Sequence, residues 1–192
     1  IEFRFLEKVF FERHDRLEDY ADSLFISLST LKRILNKINK QTKKYGFHIA
    51  TNPIGIVGDE GLIRNMFVNY FREKYLERNY NFSDIERKVF EQMLMSYVEP
   101  RPSFKNYPDI ETIRVTLFVS LIRLQNGHKY EAHLIDEIKH RYNYPMLRNP
   151  LFQQAVKSLF QFELNRENVV DLAYPIVSEN FALDQKELLE FC

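Results

Sequence analysis

Cysteine is almost absent from this chain of 192 residues: Cys192 stands alone. A single thiol excludes a disulfide framework and a cysteine-based zinc site, and it suits a reducing compartment. Long apolar runs are also missing. No window approaches the ~20 consecutive apolar residues that a membrane span needs. A secretory leader is not visible either, because the opening IEFRFLEKVFFERHD carries charge throughout. That opening lacks a starting Met and reads as the middle of a helix, so the chain is expected to be part of a longer cytoplasmic protein with no membrane segment. Walker-type phosphate loops, dinucleotide fingerprints, GxSxG elbows and HExxH pairs are absent, which leaves no recognisable catalytic constellation. No enzyme activity and no cofactor are expected. What is present is ordinary globular composition, 45% hydrophobic and 28% charged. Such a chain has enough apolar area to fold, as one or two domains.

A more local absence is more informative. Residues 23–58 contain no acid and six bases, Lys32, Arg33, Lys37, Lys40, Lys43 and Lys44, giving +6. Residues 1–22 hold seven acids and four bases, and residues 59–192 hold twenty and seventeen, so each carries −3 and the total is zero. A solvated helix face explains most short lysine runs. A 36-residue segment free of acids instead suggests a surface for a polyanion.

Glycine and proline punctuate a chain that is otherwise compatible with helices. Ile1, Phe5, Leu6, Val9 and Phe10 recur at helical spacing over residues 1–13. A short helix over 17–24 would turn Leu17, Ala21 and Leu24 inward, and Phe25-Ile26 would form a turn. Ser27 can then cap a helix from Leu28 to about Tyr45, whose apolar stripe is Leu31, Ile34, Leu35 and Ile38. Gly46 suits the left-handed position after the helix end. Residues 47–50 and 55–57 alternate as a hairpin around Thr51-Asn52-Pro53-Ile54. A helix over 60–79 follows. Ser83-x-x-Glu86 is a capping-box signature, residues 99–108 are irregular, and further helices are predicted at 109–125, 130–142, 150–164, 167–181 and 184–191. The fold class is therefore mainly α: a winged helix-turn-helix with a small hairpin wing over residues 1–79, then an all-helical bundle over residues 80–192.

Helix, short helix, tight turn, basic helix and hairpin, in that order, specify the DNA-binding motif more sharply than any residue type does. In such a motif the second helix of the turn lies in the major groove of double-stranded DNA. Ser29, Thr30, Lys32, Arg33 and Asn36 occupy its base-reading region. Arg33 has the fork that pairs with guanine, and Asn36 the carboxamide that pairs with adenine. Lys37, Lys40, Lys43 and Lys44 suit phosphates, because ammonium groups act as point charges. Thr51 and Asn52 are wing contacts. A helix-turn-helix used only for protein contacts is the competing reading.

Residues 17–75, with ISLSTL at the turn, YGFHI at the helix exit and GIVGDEGLIRNMF beyond it, resemble the helix-turn-helix domain of the Mga-like transcriptional regulators. Members of that family are virulence and metabolic regulators of Gram-positive bacteria. The resemblance implies a second helix-turn-helix followed by the first of two phosphotransferase-system regulation domains (PRD). The segment IRVTLFVSLIRLQNGHKYEAHLIDEIKHRYNYP is similar to the first half of such a domain. It implies a homodimer and control by the phosphocarrier protein of the sugar phosphotransferase system. The two phosphorylatable histidines of the related antiterminators align with Thr116 and Pro175, so an acceptor here would have to be another histidine: His128 first, His133 second. An RNA-binding antiterminator is a second functional class, but its β-rich RNA-binding module does not match the helical order seen here. His133, Glu137 and His140 share one helical face, spaced i, i+4, i+7, but exposed residues at that spacing are common and no metal is expected. The 28 Phe and Tyr residues fill helical cores more readily than they stack on bases.

Overall fold

The computed structural model describes residues 1–11, 14–75, 110–139 and 150–177. The capping box at Ser83, the irregular segment 99–108, His140 and the helix predicted at 184–191 lie outside these residues. The described chain is mainly helical, with one two-stranded antiparallel sheet. It divides into two compact units, residues 1–66 and residues from 67 onward.

In the first unit, α1 (Glu2–Phe10) buries Phe5, Val9 and Phe10. Ile1 was expected on that face but is 63% exposed, because it is the N-cap and lies outside the helical register. α2 (Leu17–Ser23) buries Tyr20 and Ala21, while Leu17 and Leu24, predicted inward, are half-buried. Tyr20 takes that place because its ring meets partners beyond the helix, edge-on to Phe5 at 5.7 Å and to His14 at 4.9 Å. The turn after α2 is a Schellman arrangement. Ile26 N donates to Ala21 O and Phe25 N donates to Asp22 O, with Phe25 left-handed at φ +56°.

Ser27 then opens α3 (Leu28–Thr42), its Oγ accepting from Thr30 N at 3.1 Å. Leu31, Leu35 and Ile38 are buried, and Ile34 is half-buried. The α-helix stops three residues short of the expected end. Lys43–Tyr45 tighten into a 3-10 turn, a common way of satisfying the last carbonyls. Gly46, at φ +85°, ends it.

The wing is β1 (Phe47–Thr51) against β2 (Ile54–Gly58), running from Phe47↔Gly58 to Thr51↔Ile54. Phe47, Ile49, Ile54 and Ile56 are buried. Asn52-Pro53 is the connection, through a cis peptide bond. At the base of the hairpin Gly58 has φ +139°, and a Cβ there would lie 2.3 Å from Gly46 O and 2.5 Å from Phe47 Cα. Asp59 follows. Its N–H donates to Gly46 O at 3.0 Å, and its Oδ1 accepts from Leu62 N at 2.9 Å, capping α4 (Glu60–Tyr75). Within the first turns of α4, Arg64 Nε donates to Glu60 Oε1 at 2.8 Å, both side chains buried.

In the second unit, α5 (Ile110–Gln125) is buried at almost every position from Val115 to Leu121, as expected of a helix apolar on all sides. Phe118 packs on Phe71 with ring centroids 5.5 Å apart. α5 closes with Gly127 at φ +82°, Gly127 N donating to Leu124 O and His128 N to Arg123 O. α6 (Ala132–Lys139), α7 (Pro150–Phe160) and α8 (Arg166–Val177) follow. α6 starts two residues later than predicted. α7 ends at Phe160 rather than 164, because Gln161 turns left-handed at φ +57° and Asn165 caps α8, accepting from Asn168 N at 2.9 Å. Tyr130, Ile135 and Val170 form a buried cluster, flanked by Leu134 and Tyr174.

Candidate nucleic-acid interface

An α-helix advances 100° per residue, so positions i, i+4, i+7 and i+11 fall in one stripe. Ser29, Arg33, Asn36 and Lys40 have that spacing on α3, and all four are exposed. Leu31, Leu35 and Ile38 fix the opposite face in the core. Burial of the apolar face thus aims the polar stripe outward over about 16 Å of helix rise. Lys32 flanks the stripe on one side, and Lys37 and the half-buried Thr30 flank it on the other. At the N-terminus, Ser27 Oγ lies 2.9 Å from both Ser29 Oγ and Thr30 Oγ1. The hydroxyls predicted to meet bases or phosphates therefore stand together around the cap.

The basic residues differ in how they are held. Lys37 Nζ donates to Glu2 Oε1 of α1 at 2.7 Å, so this ammonium is turned toward α1. Among the described residues no acid pairs with Lys32, Arg33, Lys40 or Lys43. Lys44 Nζ lies 4.8 Å from the centre of the Tyr45 ring. Thr51 and Asn52 are exposed at the wing tip, as expected. The chain turns sharply enough at Gly46 to bring the wing back beside α3, where Asn39 receives it. Asn39 Nδ2 donates to Ile49 O at 2.9 Å, and Ile49 N donates to Asn39 Oδ1 at 2.8 Å.

The histidines singled out in the helical unit sit differently from one another. His128 is half-buried, and its backbone is held in the turn closing α5. His133 lies in the first turn of α6 with its side chain 67% exposed, Nδ1 3.3 Å from Glu131 Oε2. Thr116, expected from the resemblance to stand at a phosphorylation position, is buried, and its hydroxyl donates to Thr112 O at 2.8 Å. Pro175 is buried within α8. Among the described residues, no group of three or more His, Cys, Asp and Glu side chains gathers as a metal ion would require. Of the face His133–Glu137–His140, only His133 has a described side chain.

Sequence reasoning missed Asn39, Asp59 and a buried polar layer in the helical unit. Thr116, Ser120 and Arg123 of α5 and Asn168 and Asp171 of α8 are all buried. Asp171 Oδ2 accepts from Tyr130 N at 2.8 Å. The i, i+4, i+7 spacing of the α5 members was the available signal, and it was masked by the apolar residues around them.

Comparison with known proteins places this geometry. The Mga helix-turn-helix domain matches residues 1–71. A protein of Streptococcus pneumoniae named as a trans-acting regulator is 26% identical over 186 residues, covering 95% of this chain and 38% of its own length. The capsule synthesis positive regulators AcpA and AcpB of Bacillus anthracis are 25% and 22% identical. They cover 65% and 67% of this chain and 26% and 27% of their own lengths. The chain thus spans between a quarter and two-fifths of the length of these relatives. Among the described residues no helix is long and apolar enough to cross a membrane. With the turn, the capped basic helix and the hairpin all in place, residues 1–71 are similar to the Mga helix-turn-helix domain, and the relatives that resemble the chain are named as regulators.

Proposed function

We propose that the chain is the DNA-binding part of a transcription regulator, with α3 in the major groove of double-stranded DNA. Ser29, Thr30, Lys32, Arg33 and Asn36 face base edges. Lys40, Lys43 and Lys44 face phosphates, Lys37 joins them only on leaving Glu2, and Thr51 and Asn52 extend the contact through the wing. The observation that carries this reading is the exposed Ser29–Arg33–Asn36–Lys40 stripe on a Ser27-capped helix in a segment with no acid. Arg33 offers a planar fork for guanine O6 and N7, so Arg33→Ala relaxes preference at one base pair and costs about 1–3 kcal/mol. Lys43→Ala weakens all duplexes alike. Titration of promoter duplex, scrambled duplex and matched RNA over a salt series tests this. Equal binding of all three, or an Arg33→Ala protein with unchanged affinity and base preference, removes the recognition-helix assignment.

The domain division that goes with this reading is residues 1–79 for DNA and 80–192 for a regulation domain of the phosphotransferase-system type. Control then acts through the helical domain, by phosphorylation or by oligomerisation. Of the two candidate acceptors, His133 has the more open imidazole and His128 the more enclosed one. Added phosphate brings roughly −1.5 to −2 charges by analogy with other phosphorylated side chains, and beside Glu131 that charge would repel. Incubation with the phosphocarrier, enzyme I and labelled phosphoenolpyruvate, repeated with His128→Ala and His133→Ala, identifies the acceptor. Absence of label on the unsubstituted chain leaves oligomerisation as the control.

A further inference from the structure

Within the DNA-binding reading proposed above, on which it rests, the geometry points to Asn39 as a positioning residue that sets where the wing stands relative to α3, and hence how many base pairs are read. Among the described residues β1 pairs with β2 alone, leaving a strand edge, which folded proteins normally cover. At Ile49 that edge is met by the Asn39 carboxamide, one N–H offered and one C=O accepting, at 2.9 and 2.8 Å. A carboxamide carries the same donor and acceptor as a peptide unit, so Asn39 acts at this point as the third strand would. No other side-chain type of this length supplies both groups. Asn is a mediocre helix former, because its side chain competes for backbone partners. In the last turns of α3 it spends that capacity on the wing.

The clamp fixes distance as well as contact. Asn39 is six residues beyond Arg33, about 9 Å along the helix. Ile49 is three residues before Asn52, about 10 Å along the strand. The tip is therefore held at a set reach from the base-reading stripe. Without the clamp the hairpin keeps its own pairing and its buried Ile49 and Ile56, but it is no longer registered on α3 through this backbone contact. Recognition by α3 and recognition by the wing then separate.

Selection from a random duplex library with the full chain, followed by the same selection with Asn39→Ala and Asn39→Asp, tests this. The unsubstituted chain enriches a motif with a core read by α3 and flanking positions read by the wing. Asn39→Ala keeps the core and loses the flanks, with about tenfold weaker binding to the parent motif. Asn39→Asp keeps the acceptor for Ile49 N–H and loses the donor, so its flanks are weakened rather than lost; it also serves if Asn39→Ala fails to fold. Asn52→Ala, which weakens the parent, has little further effect in the Asn39→Ala background. An unchanged motif from folded Asn39 variants, or additive losses from Asn39→Ala and Asn52→Ala, overturns the positioning role while leaving the DNA-binding reading intact. Failure of the unsubstituted chain to enrich any motif overturns both.

Discussion

Phe25 occupies a backbone slot that helix ends usually give to glycine. It stands at the left-handed position of the Schellman turn after α2, at φ +56°, with its ring 94% exposed. A non-glycine residue there costs roughly 1–2 kcal/mol, partly recovered because glycine loses more freedom on folding. Phe25→Gly should therefore raise stability by up to about 1 kcal/mol, read as a higher urea midpoint at unchanged m-value. Gly58 is the opposite case. A methyl group there would meet Gly46 O at 2.3 Å in a backbone at φ +139°. Gly58→Ala should cost about 2–4 kcal/mol, summing strain and overpacking, and should lower the thermal midpoint by well over 5 °C in a unit of this size. Ser27 and Gly46 were legible in the sequence because a cap and a helix exit are decided within four residues. Tyr20 and Asn39 were not. Their roles depend on Phe5, fifteen positions earlier, and on Ile49, ten positions later, and local periodicity carries no trace of either.

α3 was readable as an element because one stripe is apolar, the other side is polar, and both recur at 3.6 residues. Its surroundings were not readable. Glu2 comes from α1 to hold Lys37, which removes one cation from those facing a duplex. Glu2→Ala should free that ammonium. If it then reaches a phosphate, the salt dependence of binding steepens by about 0.9 in log Kobs against log [salt]; an unchanged slope would show that Lys37 points away from the DNA with or without its partner. The start of α4 was legible in type and the Glu60–Arg64 pair in spacing, but at i, i+4 such a pair reads as a surface decoration, and here it is buried. Between α7 and α8 the exposed Lys157 Nζ donates to Glu163 Oε1 at 2.7 Å, and this hydrogen bond and charge hold the Glu163 carboxyl below its ordinary value. Because the folded value is the lower one, the contribution is present above the ordinary carboxylate range and is lost as pH falls through the depressed value. Lys157→Met should return Glu163 toward the ordinary value in an NMR titration.

If α3 reads DNA as proposed, the intact protein should be a two-fold dimer, since helix-turn-helix proteins commonly read paired half-sites. Sedimentation of a strictly monomeric full-length protein, both free and on DNA, would contradict that expectation. A chain limited to residues 1–79 should fold and bind duplex by itself if the proposed domain division holds. The helical unit was legible as helices but not as a polar interior, because α5 reads as uniformly apolar around Thr116, Ser120 and Arg123. The charge arrangement of the first unit has a kinetic consequence. All six cations of residues 23–58 lie on α3 and the 3-10 turn that follows it, while α1 and α2 carry five of the seven acids of residues 1–22. The first unit is therefore polarised, with α3 positive and α1 and α2 together negative, and a polyanion exerts a torque on it before contact. Encounters should then begin with α3 already facing the duplex. Added salt should slow association much more than it speeds dissociation.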